Sequence, residues 1–130
     1  MKKFFYLLLC PVLMFLFSCA APQEEVHPLH GKTFQLADAK GHKAMMTFNA
    51  DGNVNGNSGV NRFFGQYKTA GDQIIFYQMG STKMAGAPDA MKFEDNFMGK
   101  LGKVNRFFIV GRNLTFFAGD IPVLTMKLAE

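Results

Sequence analysis

The sequence predicts a mainly β (α+β) fold: a small antiparallel barrel-like sheet of about seven to eight strands with one covering helix. Three observations carry this. Short runs of alternating apolar and polar residues recur from Lys32 to Leu128. Turn signals such as Asp51-Gly52 and Ala70-Gly71-Asp72 separate them, at the spacing typical of all-β domains. Only the segment from Pro88 carries the helical period.

In chain order, Lys32 to Leu36 alternates with period two and reads as a half-buried strand. Asp38 to His42 is a turn, and Ala44 to Phe48 a second strand. Asp51-Gly52 closes a hairpin, since Gly takes positive φ without steric cost. Asn53 to Asn55 is a weak third strand, Phe63 to Lys68 a fourth and Ile74 to Tyr77 a fifth. Gly80 to Pro88 reads as a loop. Pro88 suits a first helical turn, and Asp89, Glu94 and Asp95 place negative charge toward the helix start. Phe93, Phe97 and Leu101 form one apolar stripe, ended by Gly102 and Lys103. Phe107 to Val110 and Leu114 to Phe117 flank Gly111-Arg112-Asn113, a three-residue hairpin, and Val123 to Leu128 is the last strand.

The chain before these elements reads as an address. Lys2 and Lys3 precede an apolar run from Phe4 to Phe17. Fourteen helical residues span about 21 Å, short of the roughly 30 Å hydrocarbon core, and Pro11 interrupts the run. Residues 1–18 therefore read as a signal peptide. Leu16-Phe17-Ser18-Cys19-Ala20 resembles a bacterial lipobox, with Phe17 bulkier than the usual occupant. The residue before the cysteine must be small to enter the peptidase, and only a thiol carries the diacylglycerol. Cys19 is thus the expected lipid attachment site, a palmitate-type anchor. By analogy with the lipoproteins this motif resembles, Ala20 in place of Asp implies outer-membrane sorting, facing either the periplasm or the cell surface. Residues 19–29 read as a tether, with two Pro and two Glu in Ala20 to Leu29, and residues 30–130 as the domain.

Composition limits the function. The chain has 130 residues, 48% hydrophobic and 18% charged, with 15 Phe and no Trp. That is one globular domain. Without Lys2 and Lys3 the balance of 14 basic and 10 acidic residues becomes 12 − 10 = +2, too small to imply a nucleic-acid partner. Cys10 lies in the leader and Cys19 is blocked by lipid, so the mature domain has neither free thiol nor disulfide.

Motifs for chemistry fail one by one. Asp51 to Gly56 matches the start of an EF-hand loop, but the twelfth position is Arg62 rather than Glu. Gly31-Lys32-Thr33 resembles the end of a phosphate loop, but Val26 replaces the required Gly. His27 and His30 read as solvated linker residues, with no second cluster to complete a metal site. Neither Ser58 nor Ser81 sits in a nucleophile-elbow context to meet His42. Glu94 and Asp95 are adjacent and point to different helix faces, a poor acid–base pair. The Asn113-Leu114-Thr115 sequon is irrelevant in a bacterial lipoprotein. No enzyme, metal or cofactor is expected.

One constellation remains. Phe63-Phe64, Phe107-Phe108 and Phe116-Phe117 place aromatics on both faces of their strands. Phe107 groups with Ile109, and Phe108 with Val110; Phe116 groups with Leu114, and Phe117 with Thr115. One face is the core. The helix stripe is expected to cover the other; where it does not, Phe64, Phe108 and Phe117 are the candidate binding residues.

The motifs together resemble the META domain, the family of the heat-shock protein HslJ. Gly31 to Leu36 is similar to its opening, with Phe34 in place of the usual Trp. Phe48 to Gly65 resembles its central segment, with Gly59-Val60-Asn61 for Gly-Cys-Asn, and Thr82 to Gly86 resembles its Thr-x-Met-Ala-Cys. The resemblance runs from Leu29 to Leu128. It implies a mainly β fold with one helix, an envelope location, an association with stress tolerance and no enzyme activity. Val60 and Gly86 stand where the family has cysteines, and their joint departure implies that they lie side by side. Gly56, Gly59 and Asn61 are read as backbone specialists, the glycines for a sharp bend and the Asn for local backbone bonds. The expected function is a non-catalytic envelope lipoprotein, a binding or stress-related module. The alternative is a lipocalin-like carrier of a small apolar ligand.

Overall fold

The computed structural model describes residues 27–130. The signal peptide, Cys19 and most of the tether lie outside the described residues.

Eight strands form a closed antiparallel barrel in chain order: β1 (Lys32–Ala37), β2 (Lys43–Phe48), β3 (Asn53–Asn57), β4 (Arg62–Ala70), β5 (Gln73–Ser81), β6 (Arg106–Val110), β7 (Asn113–Ala118) and β8 (Ile121–Leu128). Each pairs with the next, and β8 returns to β1 through Phe34↔Leu128 and Gln35↔Lys127. The β5–β6 seam is the weakest, with the single register pair Gln73↔Arg106. The helix α1 (Pro88–Leu101) connects these two strands.

Alternation directs one residue in two to the interior. Ala44, Met46 and Phe48 point inward from β2, and Leu114 and Phe116 from β7. Phe107 is buried while Phe108 and Val110 are exposed, so the face groupings read from the sequence hold. Phe48 lies within aromatic contact of Phe34, Tyr67, Phe76 and Phe116, at centroid separations of 5.0–6.5 Å. Each buried Phe contributes about 1.5–3 kcal/mol of burial free energy.

Both ends of the barrel are closed. At one end α1 lowers Phe97 onto Phe63, with ring centroids 5.9 Å apart, and buries Leu101 beside it. At the other end Leu29 is fully buried, and the chain enters β1 through a Gly31 N–H bond to the Phe48 carbonyl. The His27 ring bonds the Thr69 hydroxyl at 2.6 Å and stacks on His30 at 3.9 Å. His27 to Leu29 therefore pack on the domain instead of ending the tether, and the two histidines are not solvated linker residues. A single Leu has no periodic neighbours, so its burial leaves no pattern in the sequence.

Three local details differ from the sequence reading. β5 runs on through Ser81 where a loop was expected from Gly80. Val110 pairs with Asn113, so the β6–β7 turn holds two residues, Gly111 and Arg112. Gly102 ends α1 in the right-handed region (φ −65°), its N–H bonding the Met98 carbonyl, without a left-handed cap. The register also shifts between Phe64 and Gln66, and Gln78 of β5 stands at φ +52°. This bulge lets Met79, rather than Gln78, pack against the core.

Candidate functional site

The loop between β3 and β4 is held by one buried carboxylate. Glu94 lies on the core side of α1, three residues before Phe97, and is buried. Its Oε1 accepts from the Ser58 hydroxyl at 2.6 Å, the Asn61 N–H at 2.6 Å and the Val60 N–H at 3.2 Å. Its Oε2 accepts from Asn61 Nδ2 at 2.7 Å. Burial pushes the Glu94 carboxyl up, but the hydrogen bonds from Ser58, Asn61 and Val60 outweigh it and hold the group below its ordinary value.

Asn61 extends this network to the segment before the helix. Its Oδ1 accepts from the Met84 N–H at 2.6 Å and the Thr82 hydroxyl at 3.0 Å, and its Nδ2 also reaches the Met84 carbonyl at 3.1 Å. The sequence suggested local bonds for Asn61; it instead bridges segments more than twenty residues apart. Glu94 itself was not singled out. The available signal was a carboxylate in phase with Phe97 and Leu101 on the apolar stripe. Every buried side-chain polar atom described has a partner, so the network acts as a framework, and a surface hollow of about 420 Å³ lies against Asn61, Thr82, Met84 and Glu94.

The two glycines of this region act differently. Gly59 takes φ +127°, where L side chains are strained, and a Cβ there would stand 3.1 Å from the Phe93 ring. Gly56 makes no bend. A Cβ there would lie 1.9 Å from the Met45 carbonyl oxygen and 2.7 Å from the Phe63 ring, so the requirement is close strand approach. Val60 and Gly86 are neighbours: a Cβ built on Gly86 would stand 3.4 Å from the Val60 Cβ, near the range of a disulfide.

The second set of aromatics is not covered by the helix, which caps a barrel end. Phe64 is 55% exposed and Phe108 58% exposed. Phe117 is half-buried, with the Arg106 guanidinium 5.8 Å above its ring. Arg106 is fixed there by Asp72 at 2.9 Å and Asp120 at 3.1 Å. These rings do not form one patch. Phe108 and Phe117 lie on the β6–β7 ribbon, whereas Phe64 sits between Asn55 and Gly80 on β3–β4–β5. The Phe64 ring rests on Gly80, where a Cβ would come within 2.7 Å of it. One part of the ring is thereby in close contact with β5 while the residue stays more than half exposed.

The larger hollows lie on the outer surface. One of about 520 Å³ separates α1 from the β1–β2 turn. There the Asp38 carboxylate accepts from the His42 ring at 2.8 Å and from the Lys40 and His42 N–H groups, each at 2.9 Å. His42 packs on Phe93, with centroids 5.5 Å apart. These bonds close the turn. Ser58 is committed to Glu94, so it forms no set with His42. The apolar hollow beneath α1, lined by Phe76, Met79, Met98 and Leu101, measures about 130 Å³. Enclosed pockets that bury most of a drug-sized ligand typically begin near 300 Å³.

The sequence matches the META domain family over residues 25–130. No curated protein matches it. Among solved structures, it is similar to a protein from Burkholderia xenovorans determined by NMR, at 20% identity and a TM-score of 0.63, covering 78% of this chain and 83% of that one. A second NMR structure is similar at 20% identity and a TM-score of 0.60, covering 77% of this chain and 91% of that one. At that identity the likeness establishes the fold alone.

Proposed function

The chain belongs to the META domain family, and from that membership we propose that it is a non-catalytic binding module of the bacterial cell envelope. It is held at the outer membrane by lipid on Cys19 and makes its contacts through the outer wall of the barrel. The observation that carries this reading is the separation of the aromatic pairs. Phe63, Phe107 and Phe116 fill the interior, while Phe64 and Phe108 stand open on the outside. A carrier in the lipocalin manner needs an internal cavity, and here the interior is occupied by side chains of the core. Two or three acyl chains at Cys19 give firm anchoring where one is marginal.

The test is photocrosslinking in intact cells. A photoreactive phenylalanine analogue at position 64 or 108 should give a discrete adduct, and the same analogue at the exposed Lys103 should not. No adduct at either position, or equal labelling at Lys103, refutes the outer-wall reading. Cys19→Ser should move the protein from the membrane fraction to the soluble fraction; unchanged partitioning refutes the anchor.

A further inference from the structure

We propose that the hollow on the outer face of β3, β4 and β5 is a saccharide-binding site: the C–H face of a sugar ring stacks on Phe64, and its hydroxyls bond the surrounding amides. This rests on the outer-wall reading above and names the class of ligand.

The hollow, about 240 Å³, is lined by Asn53, Val54, Asn55, Phe64, Gly65, Gln66 and Gln78. No lining residue carries a charge, so a phosphate, a carboxylate or a basic peptide finds no counter-ion within it. What it offers is one exposed aromatic ring surrounded by amides. Asn53 lies opposite Gln66 and Asn55 opposite Phe64 across β3–β4, which sets amides beside the ring. Asn53 is turned toward Asp51, its Nδ2 donating at 2.9 Å. Asn55, Gln66 and Gln78 make no side-chain hydrogen bond among the described residues. Each therefore presents two donors and an acceptor to solvent. A sugar ring carries the complement: an apolar C–H face, and hydroxyls at its rim that both donate and accept.

The platform is also preorganised. The Phe64 ring packs closely against Gly80. Gln78 is the one described non-glycine residue with positive φ, at +52°. That conformation is unfavourable for a side chain other than Gly or Asn. It occurs at the bulge that places Gln78 on the rim of the hollow. A ring already packed against β5 lowers the ordering cost of binding at that position.

The test uses the full-length protein in a detergent without a sugar headgroup, observed by amide NMR. The probes are glucose, N-acetylglucosamine and the β-1,4-linked tetramer of each. At least one probe should shift the side-chain amide signals of Asn55, Gln66 and Gln78 together. Phe64→Ala should weaken that binding about tenfold or more, the size of a ring-face contact. Ile121→Ala, at an exposed position on β8, should leave it unchanged, and both variants should keep the remaining spectrum. A monomer binding as well as its tetramer identifies a free sugar; a tetramer binding more tightly identifies a glycan chain. The proposal is overturned if no probe shifts these amides, or if the shifts persist in Phe64→Ala. A protein adduct at position 64 in cells without any saccharide shift overturns the saccharide assignment alone. Absence of both removes the outer-wall reading as well.

Discussion

Glu94→Gln isolates the charge of the buried carboxylate while keeping its shape. In the native protein Glu94 accepts four hydrogen bonds, three at Oε1 and one at Oε2. A glutamine keeps the three at its carbonyl oxygen, but as neutral bonds. Bonds to a charged group contribute about 1.5–3 kcal/mol and neutral ones about 0.5–1.5, so each retained bond weakens by about 1 kcal/mol. At the other position an NH₂ replaces the acceptor and faces the Asn61 Nδ2 donor, which keeps its bond to the Met84 carbonyl. Relief from burying a charge offsets part of this loss. The expected net cost is about 2–4 kcal/mol, a fall in Tm on the order of 10–25 °C for a domain of this size. The sign with pH follows from the lowered folded pKa. The stabilisation is fully present above the ordinary value of 4.5 and is lost as pH falls through the folded value. Urea unfolding followed by far-UV circular dichroism, repeated from pH 7 to pH 3, reads both effects. Wild type should lose stability in that acid range, and Glu94→Gln should lose less of it. A variant within about 0.5 kcal/mol of wild type, with an unchanged acid slope, would refute the assignment of Glu94 as the anchor of the β3–β4 loop.

The remaining predictions are read by the same unfolding measurement. Val60→Cys with Gly86→Cys should oxidise spontaneously and stabilise by up to about 3.5 kcal/mol for a closed loop of about 26 residues. Gly86→Ala alone should destabilise, because its Cβ would meet the Val60 methyls at 2.7 and 3.0 Å. Gly56→Ala should cost about 3 kcal/mol or more, since the obstructing atom is a backbone carbonyl that cannot turn aside. Phe63→Ala should cost about 3–5 kcal/mol and Phe64→Ala less than about 1, a contrast between adjacent residues that equal losses would disprove. Burial, then the charge of His30, lowers the His27 pKa; stability should fall as pH drops through about 6.5, and His27→Gln should flatten that step.

The barrel was legible because its signals are local. Period-two alternation at Ala44 to Phe48 and Leu114 to Phe116 states which residues face inward, and Asp51-Gly52 states where a hairpin closes. The helix was legible from Pro88 and the spacing of Phe93, Phe97 and Leu101. What the pattern could not supply was where that stripe docks. It was expected over the outer aromatics and instead closes a barrel end on Phe63. Nothing within α1 encodes its destination, because an apolar stripe satisfies any apolar surface equally well. The same limit hid Leu29, and it hid Glu94, whose partners lie more than thirty residues away.

The outer wall follows from this misplaced helix. Had α1 lain across β4 and β5, a second layer would have explained the doubled phenylalanines by burial alone. With the helix spent on the barrel end, Phe64 and Phe108 retain more than half of their exposure. Isolated exposed apolar residues are ordinary, and Phe108 has no feature beyond its exposure to set it apart. Phe64 differs because Gly80 gives up a side chain to seat it and Gln78 holds a strained backbone beside it. Two positions that depart from ordinary strand chemistry lie beside one ring, and the bulge that carries Gln78 also turns Met79 toward the core. The candidate site is therefore distinguished by the glycine and the bulge that meet beside an exposed ring, a convergence that the amino-acid pattern of β5 does not display.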